Sequence, residues 1–134
     1  DKTHLPALFH NLASLRAQCG ELPEAEALEQ KAISAWTTQF GDKNEYLRRA
    51  WISLSSIQAR RKHWAQAHES LLKSLAIAES ADALANDAIV LDKLRRGKEA
   101  SALRARVPVT PTRDTSIDLK SLLAGQQSKS LIVR

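Results

Sequence analysis

The chain has 134 residues, 43% of them hydrophobic and only 4% aromatic, with 20 Lys/Arg against 15 Asp/Glu for a net charge of +5. That length supports one domain folding on its own core, and the abundance of Ala and Leu favours closely packed helices over a β-sandwich. The single Cys19 excludes an internal disulfide framework, no apolar run is long enough to span a membrane, and no basic-then-apolar leader occurs near Asp1.

The lack of disulfides fits a reducing, cytoplasmic setting. The absence of Met and the start at Asp1 read as a processed or excised fragment.

The first helix is predicted over about residues 6–19. Thr3 can cap it, and Pro6 suits a first turn because its missing N–H has no intrahelical partner there. Leu8, Leu12 and Leu15 recur at helical spacing, widened by Phe9 and Ala13. Cys19 reads as a small packing residue, and Gly20 as the left-handed residue that ends the helix. Pro23 opens the second helix, to about Phe40, with Ala25, Leu28, Ala32, Ile33 and Trp36 on its buried side. Glu21, Glu24, Glu26 and Glu29 suit a helix start. Gly41 ends it, and Asp42-Lys43-Asn44-Glu45 reads as a capping box for the next.

The third helix covers about 45–61, with Leu47, Ala50, Trp51, Leu54 and Ile57 as its stripe. The fourth covers about 65–79, through Ala67, Leu71, Leu72, Leu75 and Ile77. The turn Arg61-Lys62-His63-Trp64 has no glycine, and Trp64 stands where the first turn has Leu22. A fifth helix over 83–95 and a short sixth over 99–106 follow, separated at Gly97. Pro108-Val109-Thr110-Pro111-Thr112 cannot continue a helix. Residues 116–124 can form a short amphipathic helix through Ile117, Leu119, Leu122 and Leu123, before a polar stretch and the β-prone Leu131-Ile132-Val133.

These elements repeat. Leu12-Ala13-Ser14-Leu15 matches Leu54-Ser55-Ser56-Ile57 at a spacing of 42 residues, as do Ala25 and Ala67, Lys31 and Lys73, Ile33 and Leu75. The third unit is imperfect, with a spacing near 33 from Ala67 to Ala100. A helix pair of this kind cannot bury its apolar face alone and must stack on its neighbours.

The pattern resembles tetratricopeptide repeats, in the 42-residue variety known from kinesin light chains. Its carriers are Leu12, Ala13, Gly20, Leu22, Glu24, Ala25, Ala32 and Ile33, then Trp51, Leu54, Ser55, Trp64, Ala67, Ser74 and Leu75, then Ala88, Glu99 and Ala100. Ala13, Ala25, Ala67 and Ala100 stand where two helices approach too closely for a larger side chain. Lys62 departs from the family's glycine, and Arg16 and Gln58 from its large apolar residue. The resemblance implies an all-α, right-handed solenoid of about three antiparallel helix pairs over 1–107, with 108–134 as a tail outside it. It implies a concave groove lined by the first helix of each pair and occupied by a peptide or partner helix. The groove residues would be His10, Asn11, Ser14 and Gln18, then Arg49, Ser53, Ser56 and Arg60. Ala7 and Ile52 stand where a dicarboxylate clamp would need polar or basic groups, so that ligand is not expected.

No catalytic constellation, cofactor motif or metal pattern is present. His4 and His10 are six residues apart and His63 and His68 five, neither of which puts two imidazoles on one helix face. Trp36, Trp51 and Trp64 read as packing between helices.

Charge supplies the rival reading. Residues 1–47 carry four Lys/Arg against seven Asp/Glu, and residues 48–134 carry sixteen against eight. Arg60, Arg61 and Lys62, and Arg95, Arg96 and Lys98, lie at successive turns and form a basic edge. Such an edge can contact nucleic acid or an acidic protein, although helix C-termini also collect cations for the dipole alone. The leading expectation is a non-enzymatic interaction module with a protein or peptide partner. The alternatives are nucleic-acid binding and an accessory part of a larger enzyme or regulator. The tail is expected to fold back on the repeat body or to support self-association.

Overall fold

The structure, a computed structural model, describes residues 4–108 and Leu123. Among them are the helices α1 (Leu5–Gln18), α2 (Leu22–Phe40), α3 (Glu45–Arg60), α4 (Trp64–Ile77), α5 (Ala81–Lys93) and α6 (Gly97–Arg106). Each helix packs on the one before and the one after it in sequence. Three- and four-residue connections force antiparallel neighbours, so the helices form a stack of pairs.

The turn inside each pair has one construction. Glu21 N–H donates to Arg16 C=O at 2.9 Å, His63 N–H to Gln58 C=O at 2.8 Å and Arg96 N–H to Leu91 C=O at 2.8 Å. This closure needs a left-handed residue just before the donor. Gly20 supplies it at φ 81°, Lys62 at φ 63° and Arg95 at φ 61°. The break in the third pair is therefore at Arg95. Gly97, the expected break, is the first residue of α6.

The α3 N-terminus is capped by Asn44, whose side chain accepts from Leu47 N–H at 2.9 Å. The expected box does not form, because the Glu45 carboxylate turns forward to Arg48. Thr3, the expected first cap, lies outside the described residues, and His4 occupies the α1 N-cap position, where its side chain makes no capping bond to the helix.

The small positions are fully buried at Ala13, Ala25, Ala67 and Ala100. Around them, Ala32, Ile33 and Trp36 of α2 meet Leu47, Ala50 and Leu54 of α3. Ile52 and Ala59 of α3 meet Ala67 and Leu71 of α4 and Ala83 and Val90 of α5. Trp51 and Trp64 are half-buried against these clusters, and Leu47, Ile52, Leu71 and Leu84 are each within 1% of full burial. Full burial of side chains of this size contributes about 1.5–3 kcal/mol each.

Three expectations of burial need correction. Leu8, Leu12 and Leu15 are exposed, because α1 buries only Pro6, Ala13 and Ala17. Leu72 is exposed on the far side of α4 from Leu71. Cys19 is exposed, since it sits past the last turn of α1, off its packed face. Gln58, where the sequence lacks a large apolar residue, is buried and accepts from Ser70 Oγ at 2.6 Å.

Leu123 is half-buried and packs against the α3–α5 cluster. The remainder of the predicted tail helix and Leu131-Ile132-Val133 lie outside the described residues. No described helix is long and apolar enough to cross a membrane.

Candidate partner-binding groove

Helical spacing puts Ser14 and Gln18 on one side of α1, and Ser53, Ser56 and Arg60 on one side of α3. These five residues line a cavity of about 270 Å³ with Ala17, Ile57 and Glu29 of α2. Asn11 and Arg49 are exposed and lie outside its lining. Arg49 is drawn to Glu45 at 3.4 Å. His10 reaches the cavity indirectly: its Nδ1 is 2.7 Å from Glu29 Oε1, and its ring lies 5.7 Å from the Trp36 ring.

Glu29 is the residue that sequence reasoning placed wrongly. It belongs to the acidic start of α2 by position, yet it is only 1% exposed. Burial pushes its carboxyl above the ordinary range, and the His10 hydrogen bond opposes that shift. The same bond pushes His10 up, against desolvation. The pair therefore holds protons more tightly than its members would in water. Glu29 Oε2, Ser56 Oγ and Arg60 Nε are buried with no hydrogen-bond partner among the described residues. The cavity is thus lined by residues that carry a buried acceptor, a buried hydroxyl and a buried guanidinium N–H.

A second buried pair, His68 with Asp87 at 2.7 Å, joins α4 to α5. Burial raises the Asp87 carboxyl, opposed by His68. In both pairs the partners come from different helices, so helical periodicity carries no signal of them.

The predicted basic edge divides. Arg60 belongs to the groove lining. Arg61 pairs with Glu26 at 3.3 Å, and Arg96 is gripped by the Glu99 carboxylate through Nε and Nη2. Lys62, Arg95 and Lys98 are exposed and make no ion pair with a described residue. No group of His, Cys, Asp and Glu fit to hold a metal occurs among the described residues.

The family model described as tetratricopeptide repeat matches residues 5–80. The chain belongs to the tetratricopeptide repeat family. Its repeats are in general non-catalytic modules for protein–protein interaction. The fold also matches the crystal structure of BtubC (BKLC) from P. vanneervenii, with a TM-score of 0.74 over 84% of this chain and 16% identity. The chain spans about half of that protein, 52% of its length. A comparison with curated proteins finds no match. The likeness to BtubC concerns the helical-repeat fold. In that fold α1, α3 and α5 are the first helices of three helix pairs, the first two of which the family model covers.

Proposed function

We propose that this chain is a non-enzymatic interaction module that holds an extended segment of a protein partner against α1 and α3. The observation that carries the reading is the 270 Å³ cavity, where Ser14, Gln18, Ser53, Ser56 and Arg60 meet over the buried Glu29. A peptide backbone offers one N–H donor and one C=O acceptor per residue. Glu29 Oε2 would take the former and Arg60 Nε give to the latter once the lining side chains move aside, since both atoms are closed off from solvent in the free chain. Buried polar groups of this kind reward a partner that completes their hydrogen bonds and penalise one that leaves them unmet. Asn11 and Arg49, exposed beside the cavity, extend the contact along the same helices.

The basic edge supports nucleic-acid binding less well, since Arg61 and Arg96 are already paired with carboxylates. The repeat body is taken as 1–107 and the tail as 108–134. The test is capture from native lysate with the full chain and with Ser14→Arg and Ser53→Arg variants, each with and without nuclease. The reading expects a discrete protein that survives nuclease and is lost with both variants. Capture that depends on nucleic acid, or that ignores both groove substitutions, would overturn it.

A further inference from the structure

The 42-residue repeat identifies a second surface, about a third of a turn around α1 from the groove-lining Ser14 and Gln18. Shifting unit 1 onto unit 2 carries Leu5 to Leu47, Leu8 to Ala50, Leu12 to Leu54 and Leu15 to Ile57. The first members are 38, 60, 37 and 57% exposed, and their counterparts 1, 0, 2 and 4%. The difference is a covering helix. Over α3 lies α2, whose Ala25, Ala32, Ile33 and Trp36 pack on those counterparts. Over α1 no described element lies in the equivalent place.

Single exposed leucines are ordinary on a protein surface. These four recur at i, i+3, i+7 and i+10, the seam by which one helix packs along another. Beside them runs an apolar groove of about 920 Å³ between α1 and α2, lined by Leu5, Phe9, Ala27, Lys31 and Ala35 among others. Its equivalent in unit 2 is narrower, a cavity of about 360 Å³ where Gln30, Ile33 and Ser34 of α2 form one wall and Trp51, Glu69 and Lys73 belong to the other. Even the rim is repeated, with Lys31 Nζ 6.0 Å from the Phe9 ring and Lys73 Nζ 5.2 Å from the Trp51 ring.

We infer that the outer face of α1 is a docking surface for an amphipathic helix whose stripe resembles that of α2: small residues at the spacing of Ala25 and Ala32, and large ones at that of Ile33 and Trp36. The unit's own repeat names the occupant, because the same face one unit later is covered by such a helix. A second copy of this chain does not offer one. Its α2 is committed to its own α3, and α6, the last helix of the stack, buries Ala100 alone and carries Arg104 and Arg106 exposed. The tail is also a poor candidate, since Leu123 is engaged with the α3–α5 cluster.

The test uses the full chain, labelled with ¹⁵N, and an acetylated peptide of residues 21–41 as the probe. Saturable shifts confined to α1 and the facing residues of α2 are expected. At least tenfold weaker binding is expected with a Leu8→Lys/Leu12→Lys chain or an Ile33→Ser/Trp36→Ser peptide. A second chain, with residues 1–42 duplicated ahead of residue 1, keeps the test decisive if the peptide is too weakly helical. It should melt several degrees higher, and Leu8→Lys/Leu12→Lys in the inner copy should abolish the gain. No α1 shifts together with no gain in melting temperature would overturn the inference. So would a dimer of the unmodified chain that dissociates on Leu8→Lys/Leu12→Lys, which would make a second copy the occupant. Neither outcome touches the groove, whose reading stands or falls with Ser14 and Ser53.

Discussion

Lys62 occupies the left-handed position that Gly20 occupies one unit earlier, at φ 63°. A residue with a β-carbon there costs about 1–2 kcal/mol relative to glycine. Glycine in turn costs about 0.4–1 kcal/mol through the larger entropy of its unfolded chain. Lys62→Gly should therefore stabilise by roughly 0.5–1 kcal/mol in backbone terms. Loss of the lysine charge at the C-terminal end of α3 offsets about 0.3–1 kcal/mol of that. Comparison with Lys62→Ala removes the ambiguity, since alanine loses the charge and keeps the β-carbon. Lys62→Gly should exceed Lys62→Ala by that same backbone difference, about 0.5–1 kcal/mol, or a few degrees in melting temperature for a chain of this size. Gly20→Ala gives the opposite sign. No atom lies within 4 Å of the added β-carbon, so its loss of about 1 kcal/mol is conformational alone. The assay is urea unfolding followed by far-ultraviolet circular dichroism, with Trp fluorescence as a second probe of two-state behaviour. A Lys62→Gly protein no more stable than Lys62→Ala would refute the assignment of strain to this turn.

Ser70→Ala strands the buried Gln58 Oε1 and should cost about 1–3 kcal/mol, whereas Gln58→Leu/Ser70→Ala should recover most of it; additive losses in urea melts would contradict this. Leu15→Lys should change stability by less than about 0.5 kcal/mol, but Ile57→Lys, its counterpart under α2, should cost about 3–5 kcal/mol by burying an unpaired charge. Comparable melting temperatures for the two would undo the argument from the 42-residue shift. The His10–Glu29 pair makes stability depend on pH. Both groups bind protons more tightly when folded, so the folded state carries more protons than the unfolded chain and the pair's contribution falls as pH rises. It is fully present below the unfolded carboxyl's range and declines through and above the ordinary histidine range. The stability difference between the protein and His10→Phe/Glu29→Leu should therefore shrink between about pH 5 and about pH 8; a constant or growing difference would count against the pair.

The helices were legible because each is bounded by its own chemistry. Pro6 and Pro23 lie near the starts of α1 and α2, Gly20 and Gly41 just past their ends, and the apolar spacing between them has one period. The small positions were legible because alanines recur in register with large residues. Which side of a helix is buried was not always legible. Leu8 and Leu15 have the same chemistry as Leu54 and Ile57, and only the presence of a covering helix decides their exposure. The groove residues came from the family resemblance; helical phase groups Ser14 with Gln18 and Ser53 with Arg60, and these with Ser56 line the cavity, whereas His10, Asn11 and Arg49 do not. The buried acids were invisible for the converse reason. Glu29 and Asp87 are each buried and hydrogen-bonded to a histidine 19 residues away on another helix, and no local rule links such partners.

The two faces of α1 differ in kind, and that difference sets what each can bind. The groove side joins a few apolar atoms to a carboxylate oxygen, a hydroxyl and a guanidinium N–H that are buried without described partners. Hydrogen bonds contribute little net energy when made and cost more when left unmet. Under the proposed function, such a surface sorts partners by sequence and geometry more than it holds them tightly. The outer side offers four leucines, and its adjoining groove carries one such polar atom, Gln39 Oε1. Apolar burial is non-directional and scales with area, at about 25 cal/mol per Å², so this side suits a helix that stays in place. Substitutions at Ser14, Gln18 and Ser53, groove residues that are not buried, should accordingly change partner binding and leave the melting temperature nearly constant. Occupation of the outer side should raise the melting temperature and leave partner selectivity unchanged.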